Sequence, residues 1–218
     1  SGDGKRVFVS HAVGEALDVV SLEGGAPERL SLAGVEESFG DEDDTFDRKR
    51  AACQGFTLAR TEAGRVLAPH VLVFTGDPES TSSGYGGGGE GREAEVFHVP
   101  VVDEGAPRVL AGSTRLRAGV EVAPTKCALP RAAAAGRAGL FVTCLGADAV
   151  ALYDADVVNP QDVELRRWSV PSGPTGIALD EAHHRAVVWS QFAHAITTLA
   201  IGDGEREVAP FALASTTL

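Results

Sequence analysis

The chain has 218 residues, of which 44% are apolar and 23% are charged, values typical of a globular protein rather than of a disordered one. Acidic residues outnumber basic ones by 31 to 19, and the formal charge of -12 argues against binding to nucleic acid or to an anionic membrane surface. No apolar stretch approaches the ~18 residues that a membrane-spanning helix needs. We therefore expect a folded chain with no nucleic-acid partner and no membrane span.

Three segments of the sequence align with one another without gaps. They are VFVSHAVGEAL at 7–17, LFVTCLGADAV at 140–150 and AVVWSQFAHAI at 186–196. Two columns of this alignment are apolar in all copies: Val9, Val142 and Val188 in one, and Leu17, Val150 and Ile196 in the other. Each segment predicts a strand, a short polar turn and a second strand. The last two copies lie 46 residues apart, a period typical of a repeat fold.

A further apolar strand and a polar turn precede the hairpin. This pattern occurs at 174–188, at 127–142 and at 53–69. Four strand sets result, and they begin near Val9, Leu67, Val142 and Val188. Because four-stranded units of ~40–45 residues are typical of propeller blades, the predicted fold is an all-β propeller with about four recognisable blades across 1–218. Long insertions at about 23–52 and 76–128 interrupt the period.

The strings PSGPTGIALDEAHHRAVVWSQ and GLFVTCLGADAVALYDAD resemble the YVTN or NHL-like class of β-propeller repeats. Those repeats place a Pro-x-Gly strand, an aspartate–glycine turn and a valine-rich hairpin in this order. The resemblance covers about 100 of the 218 residues, and its motifs imply a fold without implying chemistry. YVTN-like propellers are also found joined to c-type di-haem peroxidase-like domains. One alternative is therefore that this chain is the propeller portion of such a redox enzyme, with the haem domain outside it.

The register of the first repeat places 1–6 in the middle of a blade, because it matches 180–185. An open arc of blades leaves apolar sheet faces and edges unpaired. We therefore expect a larger or ring-closed propeller. Either the C-terminal segment 209–213 pairs onto the first blade, or further polypeptide or another protein domain completes the ring.

The three cysteines, Cys53, Cys127 and Cys144, allow one disulfide and fit no zinc module. They are either buried thiols or one bridge with one free thiol. Cys144 lies in a predicted hairpin strand, and Cys127 lies three residues before the strand that begins at Pro130. Neighbouring strands ~4.8 Å apart meet the Cα spacing of a disulfide. We therefore predict a structural Cys127–Cys144 disulfide, a free Cys53 and a periplasmic or secreted protein.

Two polar segments carry weak signals of ligand binding. The acidic run at 40–47 lacks the glycine and the bidentate glutamate of an EF-hand, since Phe46 and Ala52 occupy those positions. The glycine tract at 82–91 matches G-x-G-x-x-G, but a predicted strand at 93–99 follows it where a dinucleotide site needs a helix. We interpret the first as a solvated insertion and the second as a surface loop.

The six histidines are scattered along the chain. His183, His184 and His194 fall in predicted turns, His11 and His70 near strand ends, and His98 within a strand. Strand ends of a propeller line its channel or one face, where His11 and His70 are candidates to meet. Trp168 and Trp189 are expected to pack in the core or between blades. The sequence has no G-x-S-x-G and no C-x-x-C-H motif, so no catalytic, cofactor-binding or metal residue and no cofactor is predicted.

These observations favour a non-catalytic propeller that serves as a scaffold or binding module of an exported protein, since loops on a rigid scaffold commonly carry binding. Besides the redox alternative, a second one is a metal-dependent lactonase- or hydrolase-like propeller. That alternative needs carboxylate or amide ligands on inner strands. The only asparagine, Asn159, lies beside Pro160 in a predicted loop, which counts against it.

Overall fold

The computed structural model describes residues 1–11, 16–32, 49–54, 57–75, 94–110, 127–202 and 211–212. These residues form eighteen β-strands and three short 3-10 turns, and they contain no α-helix. The 3-10 turns span Leu145–Ala147, Pro160–Asp162 and Glu181–His183. The all-β prediction is confirmed.

The strands follow one another in antiparallel meanders. In the first half of the chain they are β1 (Arg6–Ser10), β2 (Ala16–Ser21), β3 (Glu28–Ser31), β4 (Lys49–Gln54), β5 (Ala59–Arg60), β6 (Arg65–Leu67), β7 (His70–Thr75), β8 (Ala94–His98), β9 (Val101–Asp103) and β10 (Arg108–Val109). In the second half they are β11 (Pro130–Gly136), β12 (Gly139–Cys144), β13 (Ala149–Tyr153), β14 (Glu164–Ser169), β15 (Pro174–Asp180), β16 (Arg185–Ser190), β17 (Ala195–Ala200) and β18 (Phe211–Ala212).

Within the described ranges the strands form five sheets. Sheet 1 has the order β1-β2-β3, sheet 2 the order β5-β6-β9-β10, sheet 3 the order β11-β12-β13-β14 and sheet 4 the order β15-β16-β17-β18. A fifth, which we call the side sheet, has the order β4-β7-β8. Sheets 1 to 4 contain the strand starts predicted near Val9, Leu67, Val142 and Val188. The four strand sets of the repeat therefore correspond to four separate sheets.

The hairpin turns place non-glycine residues in the left-handed region. Asp148 has φ 46° between β12 and β13, and His194 has φ 49° between β16 and β17. The two residues occupy the same column of the sequence repeat. Asp and His are among the few non-glycine residues that are enriched in this conformation, which reverses the chain at the end of a strand. The turns predicted at 147–148 and 193–194 are thus confirmed.

Alternate residues of sheet 3 face opposite neighbours, as the two-residue period of a strand requires. Toward sheet 2, the buried side chains of Leu140, Val142 and Tyr153 pack with Leu67 and Val101. Toward sheet 4, those of Phe141, Val150 and Trp168 pack with Val188 and Leu199. Both faces of sheet 3 are therefore covered by apolar side chains.

Sheet 2 is covered on its other face by sheet 1. Leu17 and Leu32 pack with Val66, Ala68 and Val102. Sheets 1 to 4 thus stack face to face in chain order. The first strands of sheets 2, 3 and 4, which are β5, β11 and β15, lie next to one another. This is the arrangement of blades around an axis, and the fold is propeller-like.

The side sheet grows out of sheet 2. Strand β6 continues through Ala68 and Pro69 into β7, and β8 continues through Val99 and Pro100 into β9. The amide of Ala68 donates a hydrogen bond to the carbonyl oxygen of Pro100 at 3.1 Å, so the two backbone segments stay paired where they pass from one sheet to the other. One long hairpin therefore contributes two strands to sheet 2 and two to the side sheet.

A disulfide joins Cys127 and Cys144, the pair expected from the sequence, with 4.8 Å between their Cα atoms. Both residues are fully buried in the core between sheets 2 and 3. The bridge connects the segment before β11 to the end of β12. The side chain of Cys53 lies outside the described residues.

The C-terminal segment pairs with the last sheet. Phe211 and Ala212 lie opposite Ile196 and Ala195 of β17. The structure describes two residues of the segment 209–213, and both pair with the last sheet. The expectation that this segment pairs onto the first blade is therefore wrong for these two residues. None of the described residues belongs to a helix that is long and apolar enough to cross a membrane.

The disulfide generates a stability prediction. It closes a loop with a sequence separation of 17, so the double variant Cys127→Ala/Cys144→Ala should lose about 3 kcal/mol of unfolding free energy in urea. Cys53→Ala serves as the control and should leave the bridge intact. Peptide mapping without reduction checks the pairing, and a bridge that includes Cys53 would contradict it.

The stacking of the sheets predicts unequal effects of one substitution at equivalent repeat positions. Val142 is fully buried between sheets 2 and 3, whereas Val9 is 39% exposed. Val142→Ala should lower the free energy of unfolding by about 1.5–3 kcal/mol, because it removes buried methyl groups and leaves a cavity. Val9→Ala should cost less than ~1 kcal/mol in urea unfolding of dilute protein. Equal costs at both positions would show that the face-to-face order of the sheets is wrong.

Candidate functional site

The candidate site is a pair of buried histidines at the base of the long hairpin. His70 begins β7, His98 ends β8, and the two lie directly opposite each other in the strand register. His70 is 3% exposed and His98 is fully buried. Their neighbours Phe97 and Val99 pack toward sheet 3, and the ring of Phe97 lies 5.2 Å from that of Tyr153. Because side chains alternate along a strand, the histidines project from the opposite face of the hairpin.

One histidine is held in a defined tautomer. Nδ1 of His70 lies 2.7 Å from the carbonyl oxygen of Ala68. A carbonyl oxygen only accepts hydrogen bonds, so Nδ1 carries the proton and Nε2 carries a lone pair. Nε2 of His70 lies 3.4 Å from Nδ1 of His98. The ring centroids are 5.1 Å apart and the ring planes meet at 83°.

The spacing of the two nitrogens resembles that of two metal ligands. It exceeds the usual donor–acceptor distance of about 2.7–3.2 Å for a hydrogen bond from nitrogen. Two nitrogen ligands at ~2.0–2.1 Å from a tetrahedral zinc ion lie about 3.3–3.4 Å apart. The hydrogen bond from His70 to Ala68 is the outer contact that ligating histidines usually make. The 3.4 Å separation of these two nitrogens is therefore that of a long hydrogen bond between the rings, and it is also compatible with two ligands of one divalent ion.

The pair supplies two ligands and no more can be assigned. Among the side chains that the structure describes, no group of three or more His, Cys, Asp or Glu is placed to hold a metal ion. Catalytic zinc sites have three protein ligands and a fourth position for water or substrate. The histidine pair by itself therefore supplies one ligand fewer than such a site has.

The histidine contacts in the structure differ from the candidate pair of His11 and His70. His11 lies 3.0 Å from Asp18, whereas His70 faces His98. The pairing of His70 with His98 was not predicted, because 27 residues separate them in the sequence and much of that stretch is the glycine-rich insertion. One signal was present: Pro69 precedes His70 and Pro100 follows His98 by two residues, and prolines often mark strand boundaries.

The other residues considered from the sequence are dispersed. His184 and His194 lie in left-handed turns, and His183 contacts Asp180 at 2.8 Å. Trp168 stacks on Phe141 between sheets 3 and 4, as expected for a packing residue, whereas Trp189 is 36% exposed. Asn159 precedes the 3-10 turn at Pro160. The acidic run at 40–47 and the glycine tract at 82–91 lie outside the described residues.

Two carboxylates outside the histidine pair are fully engaged in ion pairs. Asp18 accepts two hydrogen bonds from Arg29, at 2.8 and 3.0 Å, and these lower its pKa to about 2 despite partial desolvation. Burial alone would raise the pKa of Glu104, but hydrogen bonds from Arg60 and from the Gly2 amide outweigh it and lower the pKa. Both groups are ionised at neutral pH and bind strands together, so neither is a candidate general base.

The likeness of this chain to known proteins is limited to solved structures. No protein-family model matches the chain, and no curated protein matches it. The chain is similar to the structure of a streptogramin B lyase, with 13% identity and a TM-score of 0.41 over 99% of this chain and 67% of that one. It is also similar to a periplasmic gluconolactonase of Pseudomonas aeruginosa, with 11% identity and a TM-score of 0.40 over 98% of this chain and 69% of that one.

The comparison corrects the main functional prediction. The expectation of a non-catalytic scaffold does not agree with these structures, which are named as a lyase and a lactonase. At this identity the likeness concerns the fold, and it supports neither the YVTN or NHL assignment nor the link to a di-haem peroxidase.

The ion pair of Asp18 predicts an acid-dependent change. Because its pKa in the folded protein is lowered to about 2 from 3.8, the stabilisation by this carboxylate is complete above pH ~4 and is lost between pH ~4 and ~2. In Arg29→Gln the pKa of Asp18 should rise toward its ordinary value, and in His11→Gln it should rise less. Carboxyl ¹³C titration by NMR measures both. An unchanged pKa in Arg29→Gln would contradict the assignment.

Proposed function

We propose that this chain is the propeller of a metal-dependent hydrolase that cleaves an ester or a lactone, with His70 and His98 as ligands of the metal ion. The observation that carries the proposal is the cross-strand histidine pair, with its 3.4 Å nitrogen separation and its tautomer set by the carbonyl of Ala68. The sequence predicted no metal and no cofactor, and the proposal departs from that expectation on the geometry of this pair.

Burial supports a ligand role for the pair. Two imidazoles removed from water need polar partners for their ring nitrogens. The contact between Nε2 of His70 and Nδ1 of His98 at 3.4 Å is a long hydrogen bond. A divalent cation bound between the rings would replace that contact, since two nitrogen ligands of one zinc ion lie about as far apart.

The chain's own residues define how the site is held. The register of β7 and β8 sets the two rings opposite each other. The carbonyl of Ala68 orients His70, and the packing of Phe97 and Val99 on sheet 3 fixes the strand that carries His98. A divalent ion held by His70 and His98 would polarise a carbonyl oxygen and lower the pKa of a bound water, two contributions that favour hydrolysis of an ester.

We further propose that the protein works outside the cytoplasm. The buried Cys127–Cys144 disulfide supports this, because disulfides persist in oxidising compartments and are rare in the reducing cytosol. The absence of a basic excess in the sequence favours a small uncharged or cationic substrate over a polyanion.

Metal binding is the first test. Wild-type protein, freed of metal by chelation, should bind one equivalent of Zn²⁺ in calorimetry, and His70→Phe and His98→Phe should each weaken binding at least ~100-fold because a ligand is lost. His194→Asn is the matched control, since His194 lies in an exposed turn with a backbone conformation that Asn tolerates. X-ray absorption of the wild-type zinc complex should show two imidazole ligands, a measurement that does not depend on the folding of the variants. Wild-type protein that binds no Zn²⁺, or binds it without imidazole ligands, would refute the proposal.

Hydrolysis is the second test. Wild-type protein loaded with Zn²⁺ or Mn²⁺ should hydrolyse members of a panel of p-nitrophenyl esters and of γ- and δ-lactones, followed by absorbance and by titration of released acid. Chelation should abolish the activity and metal should restore it. The two histidine variants should lower kcat at least ~100-fold, and His194→Asn should leave it unchanged. Activity that survives both chelation and loss of the histidines would place the chemistry elsewhere in the chain.

A further inference from the structure

The backbone amide of Val99 lies on the outer edge of the long hairpin. One residue further along, the carbonyl oxygen of Pro100 accepts the hydrogen bond from the amide of Ala68 on the partner strand. In an antiparallel pair, successive residues direct their backbone groups alternately toward the partner strand and away from it. The amide of Val99 therefore points away from β6 and β7, to the side on which the Leu110 amide donates to the carbonyl oxygen of Val101.

A side chain from sheet 3 accepts the hydrogen bond of this amide. Val99 is fully buried, so its amide needs an acceptor within the protein. Oε1 of Gln161 lies 3.3 Å from the amide nitrogen and accepts the bond. Gln161 belongs to the segment between β13 and β14. Sheet 3 thus completes the backbone hydrogen bonding of the hairpin at the residue that follows His98.

The segment that carries Gln161 is held by its own backbone. In the 3-10 turn, the amide of Val163 donates to the carbonyl oxygen of Pro160 at 3.0 Å. The amide of Asp154 donates to the carbonyl oxygen of Val163, also at 3.0 Å, which closes the segment where it leaves β13. Pro160 is buried, and its ring fixes the backbone φ angle directly before Gln161. The carboxamide therefore extends from a fixed base.

We infer that Gln161 is a positioning residue for the imidazole of His98, an inference that rests on the proposed role of the histidine pair. The peptide plane that contains the Val99 amide also contains Cα of His98. The hydrogen bond to Gln161 fixes the orientation of this plane, and with it the direction in which the side chain of His98 leaves the strand. The bond thereby supports the 3.4 Å separation between Nδ1 of His98 and Nε2 of His70.

The two histidines are held in different ways. The ring of His70 donates directly to the carbonyl oxygen of Ala68, which sets its tautomer. His98 is oriented through its backbone, by the bond from the following amide to Gln161. Loss of the acceptor on Gln161 should therefore displace the ring of His98 and leave the proton of His70 on Nδ1. A general loosening of the hairpin would disturb both rings.

The test compares Gln161→Met, which keeps the length of the side chain without its acceptor, with Gln161→Glu, which keeps an acceptor oxygen. Imidazole ¹⁵N chemical shifts are measured on the metal-free proteins and Zn²⁺ affinity by calorimetry. In Gln161→Met the shifts of His98 should move, Nδ1 of His70 should stay protonated, and Zn²⁺ should bind about 10-fold more weakly. Gln161→Glu should bind Zn²⁺ at least as tightly as wild type. Gln191→Met is the matched control, because Gln191 lies in an exposed turn.

Loss in Gln161→Met with recovery in Gln161→Glu supports the inference. Where wild type binds Zn²⁺, an unchanged affinity in Gln161→Met overturns it and leaves the proposed function standing. Equal losses in both variants also overturn it, because they assign the effect to packing of the segment rather than to the acceptor. A wild type that binds no Zn²⁺ refutes the proposed function, and the imidazole shifts of the metal-free variants then decide the inference. If Gln161→Met does not fold, Gln161→Asn replaces it, since its amide is one methylene shorter.

Discussion

The structure depends on one constraint, the two-residue period of the β-strand, which gives each sheet two faces that neighbouring sheets can cover. In β12 the sequence GLFVTC is buried throughout, because Leu140 and Val142 meet sheet 2 while Phe141 meets sheet 4. In β1 the similar sequence RVFVS alternates between half-buried and exposed, because among the described residues only one of its faces packs on another sheet. The same strand composition is therefore core or surface according to the sheets beside it, and stability is shared between adjacent sheets rather than held within one.

Buried polar side chains show how tightly the stacked sheets pack against one another. Thr143 lies in the fully buried β12, and its hydroxyl exchanges hydrogen bonds with the backbone of Ala132 on β11, at 2.9 and 3.3 Å. Ser190 and Thr197 lie on the buried face of sheet 4, and their hydroxyl oxygens make no hydrogen bond. An unmade hydrogen bond at a buried hydroxyl costs about 1–3 kcal/mol, so the packing of sheet 4 on sheet 3 outweighs two such penalties.

The sequence pattern predicts the hairpins, whose strands are close together in the sequence. It does not predict contacts between strands that are far apart in the sequence. Val9, Val142 and Val188 share a column of the repeat because a hairpin and its turn are encoded within about ten residues. The Cys127–Cys144 disulfide could be predicted because both cysteines lie in or next to neighbouring strands of one sheet. The side sheet could not be predicted in this way. Its central strand β7 pairs with β4 and β8, and the register of each pair is set by tertiary packing rather than by a short turn.

The same limit explains why the pairing of His70 with His98 was not predicted. A catalytic motif on a helix or a tight loop appears as a fixed spacing in the sequence, whereas two residues opposed across strands appear at any spacing that the intervening loop allows. His70 and His98 are such residues, and nothing in their separation marks them as partners. Their position at the junction of sheet 2 and the side sheet links the site to the core, because the strands that carry them continue into β6 and β9, whose side chains Leu67 and Val101 pack on sheet 3. The stacking that stabilises the propeller-like fold thus also sets the distance between the two imidazoles, so the geometry of the pair is a consequence of the fold.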